Sequence, residues 1–538
     1  MGNKKLIQVN QNLLPAHQKI DRDFFIEHNN VYELFKARTK KHPQKHFVIF
    51  PEYNNKAFSY EDLNNKIIER AWYLKQQHLA KGDRIALILP TSPDFVMFYF
   101  AALGEGITVV PINPDLSPPE IAYIVADARV KAVFYNEQLS KKISETQKIA
   151  GLGQVDFINV SDLSITNAAK NLETTKVHYA DEAVIIYTSG TTGKPKGVML
   201  SHLNLLTDSK VISEWFQFTP DTRMLCLLPL FHNNGQVVTL LAPLCAGGST
   251  VMVPSKTSLK LFWSIIKEYN INWTSVMPSI LAIILSLKLE RKDSSMAGII
   301  CGGQVLTNEL KTQFENKFRI PVFEGYGLTE TTSFASFNQF SGNNKKIGSV
   351  GRAIPSNDIA IFDENDREAA RGKEGEICIR GLNVMTEYFG LDEVNKNSLR
   401  GGWFHSGDYG YFDADGYLYF KTRKDYLIKK GGENIYPSEI ENVLFGHPAV
   451  DECAVIGVSD KLLGQDIIAF VKLNSQCPES ALKEFLTDKI AHYKYPKRII
   501  IINELADLGD IPRGPTKKVL YRVLLEYYNK HFKDYAKI

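Results

Sequence analysis

The sequence predicts an α/β protein of several domains: a large α/β body, a β-rich section, and a small α+β domain at the C-terminus. Three observations carry this. Short runs rich in Val, Ile and Leu, such as RIALILP (84–90) and AGIICGG (297–303), end in Gly, Pro or Ser and alternate with segments of helical spacing. Strands apolar on both faces, separated by helices, build parallel sheets covered on both sides. From about Gly348 the texture changes: GEICIRG (375–381) and GYLYFKTR (416–423) alternate apolar and polar residues, the pattern of half-exposed antiparallel strands. A third, compact texture begins after Asp425. With 538 residues, the chain exceeds what one hydrophobic core holds.

In the body, AVIIYTSG (183–190), STVMVP (249–254) and WTSVMP (273–278) read as further buried strands, and LKLFWSIIKEY (259–269) as a helix. The uncharged run 236–254 holds an internal Pro, paired Gly and several hydroxyls. It predicts a buried helix followed by a strand rather than a membrane span. DADG (413–416) lacks a calcium loop's twelfth-position glutamate and lies between alternating strands, so it predicts a hairpin turn. Near the C-terminus, 437–448 and 479–493 read as helices, 449–458 and 466–474 as strands. The expected division is 1–424 and 425–538.

An apolar share of 44%, a charged share of 23% and a net charge of +3 give no footing for nucleic acid or an acidic membrane. Six scattered cysteines without a C-x-x-C pair fit a reducing, cytoplasmic setting. The start, MGNKKLIQVNQNLL, lacks the apolar centre of a signal peptide, and Leu6 stands where myristoylation at Gly2 requires Ser or Thr.

The most informative stretch is YTSGTTGKPKG, 187–197. Leaving a buried strand, it presents Thr188, Ser189, Thr191 and Thr192 among Gly190, Gly193 and Gly197, with Lys194 and Lys196. Glycines let backbone N–H groups turn inward as an anion nest, hydroxyls add donors and lysines add charge. The combination suits a polyphosphate. It is not a Walker A loop: only two residues separate Gly190 from Gly193, and Pro195 follows Lys194.

This stretch resembles the signature of the adenylate-forming superfamily, in its acyl- and aryl-CoA synthetase branch (4-coumarate–CoA ligase-like). Further motifs follow in that family's order. LPLFHNNG (228–235) resembles its PLFHxxG segment; CGGQVL (301–306) its GG-A-P-L turn, with Gln304 for the commoner alanine; EGYGLTE (324–330) its YG-L/M-T-E motif; GGWFHSGDYG (401–410) its GWFHTGD; and TRKDYLIKKGGENIYPSEIE (422–441) its domain junction.

The resemblance implies two doubly wound α/β subdomains, a barrel-like β subdomain and a mobile C-terminal domain. It implies a reaction in which a carboxylic acid and ATP give acyl-AMP and pyrophosphate, and CoA then displaces AMP. ATP, Mg²⁺ and CoA are the implied co-substrates and cofactor, in a monomer or homodimer. Residues 188–196 would hold the β- and γ-phosphates. Gly303, Gln304, Tyr326 and Gly327 would meet the nucleotide, Thr329 the α-phosphate, Asp408 and Arg423 the ribose, and Glu330 the metal. His232, Asn233, Asn234, Gly302, Gly325 and Ser333 would line the acid pocket. Lys430, Gly431, Gly432 and Glu433 would face CoA beyond a hinge at Asp425.

The family's catalytic lysine belongs in IPRGPTKKVLYR (511–522), where Lys517 occupies the usual glycine position and Lys518 the lysine position. The competing readings are an acyl-AMP ligase that loads a separate acyl carrier protein, a luciferase-like oxygenase, and a nucleotide-binding homologue without catalysis. HNNG lacks the Asp that amino-acid-adenylating relatives place near His232.

Overall fold

The computed structural model describes residues 6–149, 151–163, 175–188, 194–253, 256–287, 289–291, 295–340, 346–505, 507–514 and 519–532. The chain divides into two compact units. The first comprises residues 1–360, 378–406 and 415–418; the second comprises 361–377, 407–414 and 419–538.

Two large sheets build the first unit. One runs Glu387–Tyr388, Lys196–Ser201, Glu182–Thr188, Thr108–Pro111, Arg84–Ile88, Ala132–Tyr135, Asp156–Asn159. The other has nine strands, with Val322–Tyr326, Gly298–Cys301, Trp273–Val276, Arg223–Cys226, Ser249–Met252 and His46–Phe50 forming its parallel centre. Both sheets are mixed. The expected parallel strands occupy the centres; antiparallel strands close one edge of the first sheet, whose other edge, Asp156–Asn159, is parallel, and both edges of the second.

The runs read from sequence as buried strands lie where expected, and their side chains are enclosed: Ile85, Leu87, Val184, Ile185, Ile299 and Ile300 are all buried. Each sheet has its own apolar core. An aromatic cluster of Phe216, Trp273, Phe323 and Phe337 fills one end of the second. The described part of this run, 236–253, forms the helix and strand expected of it. The helical part is a π-helix, Asn234–Leu241, running into Ala242–Ala246 before the strand Ser249–Met252. A π-helix is rare and tends to mark functional ground.

The β-rich section forms a four-stranded sheet, ordered Asn357–Phe362, Gly375–Gly381, Phe404–Phe412, Leu418–Arg423. DADG supplies the turn between its last two strands. A five-stranded sheet in the second unit is built on the long antiparallel pair Val450–Asp460 and Gly464–Leu473. Helices Pro437–Phe445 and Glu479–Leu486 pack on one of its two apolar clusters and Tyr521–His531 on the other. The helix expected over 479–493 stops at Leu486, because Thr487 is extended and Asp488 takes a φ of 64°. All six cysteines are free thiols. No helix of the described residues is long and apolar enough to cross a membrane.

Candidate active site

In the first unit, the Gly- and Thr-rich loop after Thr188 joins two antiparallel strands, with Thr188 and Lys196 as register partners. It is therefore a hairpin loop, not the strand-to-helix turn of a P-loop. Ser189, Gly190, Thr191, Thr192 and Gly193 lie outside the described residues. The base of the hairpin is braced from the helix Pro118–Asp127. Tyr123 donates to the Pro195 carbonyl at 3.1 Å, and its ring lies 5.8 Å from Lys194 Nζ. Tyr187 donates to Asp127 Oδ2 at 2.5 Å. The partners on the helix, Tyr123 and Asp127, lie outside every motif read from the sequence.

The strand ends Gly298–Cys301 and Val322–Tyr326 are neighbours, and they place Gly302 beside Gly325: a Cβ at 302 would lie 2.9 Å from the Gly325 carbonyl oxygen. Gly303 follows at a φ of 83°, beside half-buried Gln304. Tyr326 ends its strand buried. Gly327 then crosses so close to the returning chain that a Cβ would stand 2.1 Å from the Ser333 carbonyl oxygen.

Between these two, Thr329–Thr331 form one turn of 3-10 helix, closed by Thr332 at φ 65° and ψ −57°. Ser333 N–H donates to the Thr331 carbonyl at 2.7 Å, which makes Thr332 the centre of a positive-φ γ-turn. A β-branched residue there is strained by roughly 1–3 kcal/mol. It is held by its surroundings. Thr332 Oγ1 donates to the Asn383 carbonyl at 2.6 Å, and Asn233 Nδ2 donates to the Thr332 carbonyl at 2.7 Å. Asn383 Nδ2 donates to the carbonyls of Thr331 and Phe334, and the buried Asp208 carboxyl accepts from Phe334 N–H. Burial raises the Asp208 pKa well above the ordinary carboxyl range.

Asn233 thus brings its amide to the loop that carries Thr329 and Glu330. It precedes the π-helix, as does His232, whose ring packs on Phe231 with centroids 4.5 Å apart. Asn234 Oδ1 is buried without a hydrogen-bond partner among the described residues. Ser333 is buried on the same loop.

Glu330 is fixed at both ends. Its carbonyl accepts from Met385 N–H at 2.7 Å, and its Oε1 accepts from Tyr388 O–H at 2.8 Å. Lys196 Nζ stands 5.4 Å from the centre of the same Tyr388 ring. A half-buried carboxylate, oriented through one oxygen and retaining a second, is a hard donor suited to Mg²⁺.

Glu324, two residues before Tyr326, is buried with its Oε2 unpartnered among the described residues. Burial pushes its pKa up to about 7, against the opposing pull of Lys311. The folded protein therefore keeps this proton, between the ordinary value of 4.5 and about 7, where the unfolded chain has lost it. Its contribution to stability is full below the lower value and is lost as pH rises to the upper one. Relative to Glu324→Gln, the wild type is expected to lose about 2.5 kcal/mol between pH 5 and pH 8. Urea midpoints of the two proteins at both pH values check this; a gap that stays constant contradicts it.

In the second unit, Asp408 is buried and its Oδ1 lies 3.1 Å from Arg423 Nε. Nearby, Glu376 accepts from Gly407 N–H and pairs with Lys424 at 3.1 Å. Asp425 is exposed in the short turn Lys424–Tyr426. Gly431 and Gly432, at φ 60° and 88°, form a two-residue hairpin turn between Lys430 and Glu433, the pairing that positive φ at both turn positions favours. Lys430 is committed to the buried Asp466, Nζ to Oδ1 at 2.7 Å, while Gly431, Gly432 and Glu433 are exposed.

Lys517 and Lys518 lie outside the described residues, but both flanks are fixed. Arg513 and Val519 form an antiparallel bridge, and Leu520 N–H donates to the Pro512 carbonyl at 2.8 Å. Tyr521 packs against Tyr426 with ring centroids 4.4 Å apart and donates to Glu441 at 3.1 Å. The segment after Asp425 and the segment after Lys518 therefore share one aromatic contact.

The AMP-binding enzyme family profile matches residues 35–389, and the AMP-binding enzyme C-terminal domain matches 439–507. The chain belongs to the AMP-binding enzyme family, the adenylate-forming superfamily that its motifs resemble. It is 33% identical to a sulfoacetate–CoA ligase of Cupriavidus necator, over 92% of this chain and 97% of that protein. It is 31% identical to a long-chain-fatty-acid–CoA ligase of Mycobacterium tuberculosis, over 93% and 99%. Among solved structures it is similar to the o-succinylbenzoate CoA synthetase of Bacillus subtilis in complex with ATP and magnesium, with a TM-score of 0.83, 29% identity, and 92% and 99% coverage.

Proposed function

We propose a division of labour among these residues for the reaction of this family. The chain is an ATP-dependent, AMP-forming acid–CoA ligase. A carboxylate oxygen attacks the α-phosphorus of ATP, and pyrophosphate leaves with the electrons of the broken P–O bond. The thiolate of CoA then attacks the acyl carbon, and AMP leaves carrying the oxygen that came from the acid. The first step needs positioning and charge neutralisation more than covalent help from the protein.

In this reading, Thr188, Lys196 and the loop between them hold the β- and γ-phosphates. Thr329 donates to the α-phosphate and Tyr326 packs on the adenine. Asp408 accepts from the ribose hydroxyls while Arg423 holds it in place. Glu330 is the ligand for Mg²⁺, which when bound neutralises charge on the phosphate oxygens. Lys518 completes the clamp for adenylation. The small domain, hinged at Asp425, then withdraws it and brings the Gly431–Glu433 turn to CoA, with Lys430 as a brace through Asp466 rather than a direct contact. The observation that supports this most is the convergence of Glu330 and Lys196 on Tyr388. It puts a metal-ligand type and a phosphate-loop cation against one side chain.

The acid is a functionalised, aromatic or medium-chain one. Around His232, the pocket residues Asn233, Asn234, Gln304 and Ser333 are more polar than a long alkyl chain favours. The relatives' acids run from sulfoacetate to long-chain fatty acids, so the pocket, not the family, sets the choice. A pyrophosphate-release screen over an acid library, with and without CoA, tests this. The expected result is release with polar or aromatic acids and a CoA ester as product. Release without any CoA ester would point instead to a carrier-protein acceptor, and a preference for long alkyl acids would overturn the pocket reading.

A further inference from the structure

We propose that Tyr388 is a positioning residue with two separable functions: its hydroxyl sets the Glu330 carboxylate for the metal, and its ring steadies the phosphate-loop Lys196. This rests on the reading of Glu330 as the metal ligand.

Tyr388 is built into place from several directions. Its strand, Glu387–Tyr388, pairs with the strand that leaves the phosphate loop, with Tyr388 opposite Val198. Asn395 grips its main chain from both sides: Tyr388 N–H donates to Asn395 Oδ1 at 2.7 Å, and Asn395 Nδ2 donates to the Tyr388 carbonyl at 2.8 Å. The strap leading to it, residues 382–385, is tied down by distant groups. Asn204 Nδ2 donates to the carbonyls of Leu382 and Val384, Gln18 donates to the Val384 carbonyl, and His17 Nε2 bonds to the Met385 carbonyl. Met385 in turn holds the Glu330 main chain. The buried side chain of Tyr388 then reaches Glu330 Oε1 with its hydroxyl and Lys196 with its ring face.

Such support is what a metal-ligating carboxylate requires. An outer partner fixes its rotamer, and losing that partner typically costs about 10–100-fold in metal affinity. A lysine 5.4 Å from a tyrosine ring centre gains a cation–π attraction that steadies it without satisfying its three donors. These remain available to phosphate.

The hydroxyl and the ring are separated by two substitutions, Tyr388→Phe and Tyr388→Leu, in the full-length protein. ATP affinity is measured by calorimetry without acid or CoA, once with Mg²⁺ and once with EDTA, and the ratio of the two reports the metal's contribution. Tyr388→Phe is expected to lower that ratio about tenfold while leaving the EDTA value unchanged. Tyr388→Leu is expected to lower the ratio equally and to weaken binding in EDTA as well. Glu330→Gln is measured alongside. If Glu330→Gln collapses the ratio while Tyr388→Phe keeps it, the proposal for Tyr388 is overturned and the Glu330 reading stands. If Glu330→Gln leaves the ratio intact, the metal-ligand reading fails and takes this inference with it. Equal loss of EDTA binding in Tyr388→Phe and Tyr388→Leu would reduce Tyr388 to a packing residue.

Discussion

Replacing Lys518 by Ala is expected to slow acyl-AMP formation about a hundredfold or more, while thioester formation from preformed acyl-AMP and CoA is nearly unchanged. The size follows from what one preorganised charge contact contributes to a phosphoryl-type transition state, about 3 kcal/mol. The selectivity follows from the chemistry: the α-phosphate gains charge in the first step, whereas the second needs only the departure of AMP. Register is the point at issue, because two lysines are adjacent. Val519 is bridged to Arg513 and Leu520 is tied to Pro512, so Lys518 is joined directly to an anchored residue and Lys517 is one step farther away. Lys517→Gly is accordingly expected to keep adenylation or to improve it. Single-turnover rates for both half-reactions in both variants check this. Loss with Lys517→Gly and retention with Lys518→Ala would mean that Lys517 is the working group.

The second large effect is expected at Gly327. An added Cβ would meet the Ser333 carbonyl oxygen at 2.1 Å and Phe334 Cα at 2.5 Å. Both are backbone atoms of the loop locked by Asn233, Asn383 and Asp208. No side chain can swing aside, so the γ-turn or the strand end has to move, and Thr329 and Glu330 move with it. Gly327→Ala is expected to cost about 3 kcal/mol of stability, as strained overpacking does, and to lower adenylation by about two orders of magnitude. Gly303→Ala is the contrasting case. There the nearest atom to a new Cβ is Met277 Cγ at 4.0 Å, and the cost is only the positive φ, about 1 kcal/mol. Urea unfolding of the two variants separates a packing clash from backbone strain. Equal losses would contradict the geometry.

The central strands were legible because burial on both faces leaves a continuous apolar run, and the glycines that end them mark where backbones approach. Those signals are local. The hairpin nature of the Gly- and Thr-rich loop was not legible from its composition, which suits a nest of any topology; it depends on Val198 pairing with Ile186 across the loop. The overextended helix at 479–493 shows the opposite failure. Apolar spacing continues past Leu486, but Asp488 turns the chain into the left-handed region and the later apolar residues pack from a turn.

In the candidate site, residues inside contiguous motifs could be named from sequence. The groups that hold them could not. Tyr388, Asn383 and Asp208 act through partners far away in the chain, such as the 58 positions between Tyr388 and Glu330 or the 126 between Phe334 and Asp208. No periodicity records such pairs.

The central claim is that the acid is activated as an adenylate. Carboxylate oxygen labelling tests it most directly: the acid selected by the screen is supplied with ¹⁸O in its carboxyl group, with ATP, Mg²⁺ and CoA, and the nucleotide product is weighed by mass spectrometry. The expected product is AMP carrying one ¹⁸O atom from the acid, with unlabelled pyrophosphate. Formation of ADP, with the label in inorganic phosphate, would show activation through an acyl phosphate and contradict it.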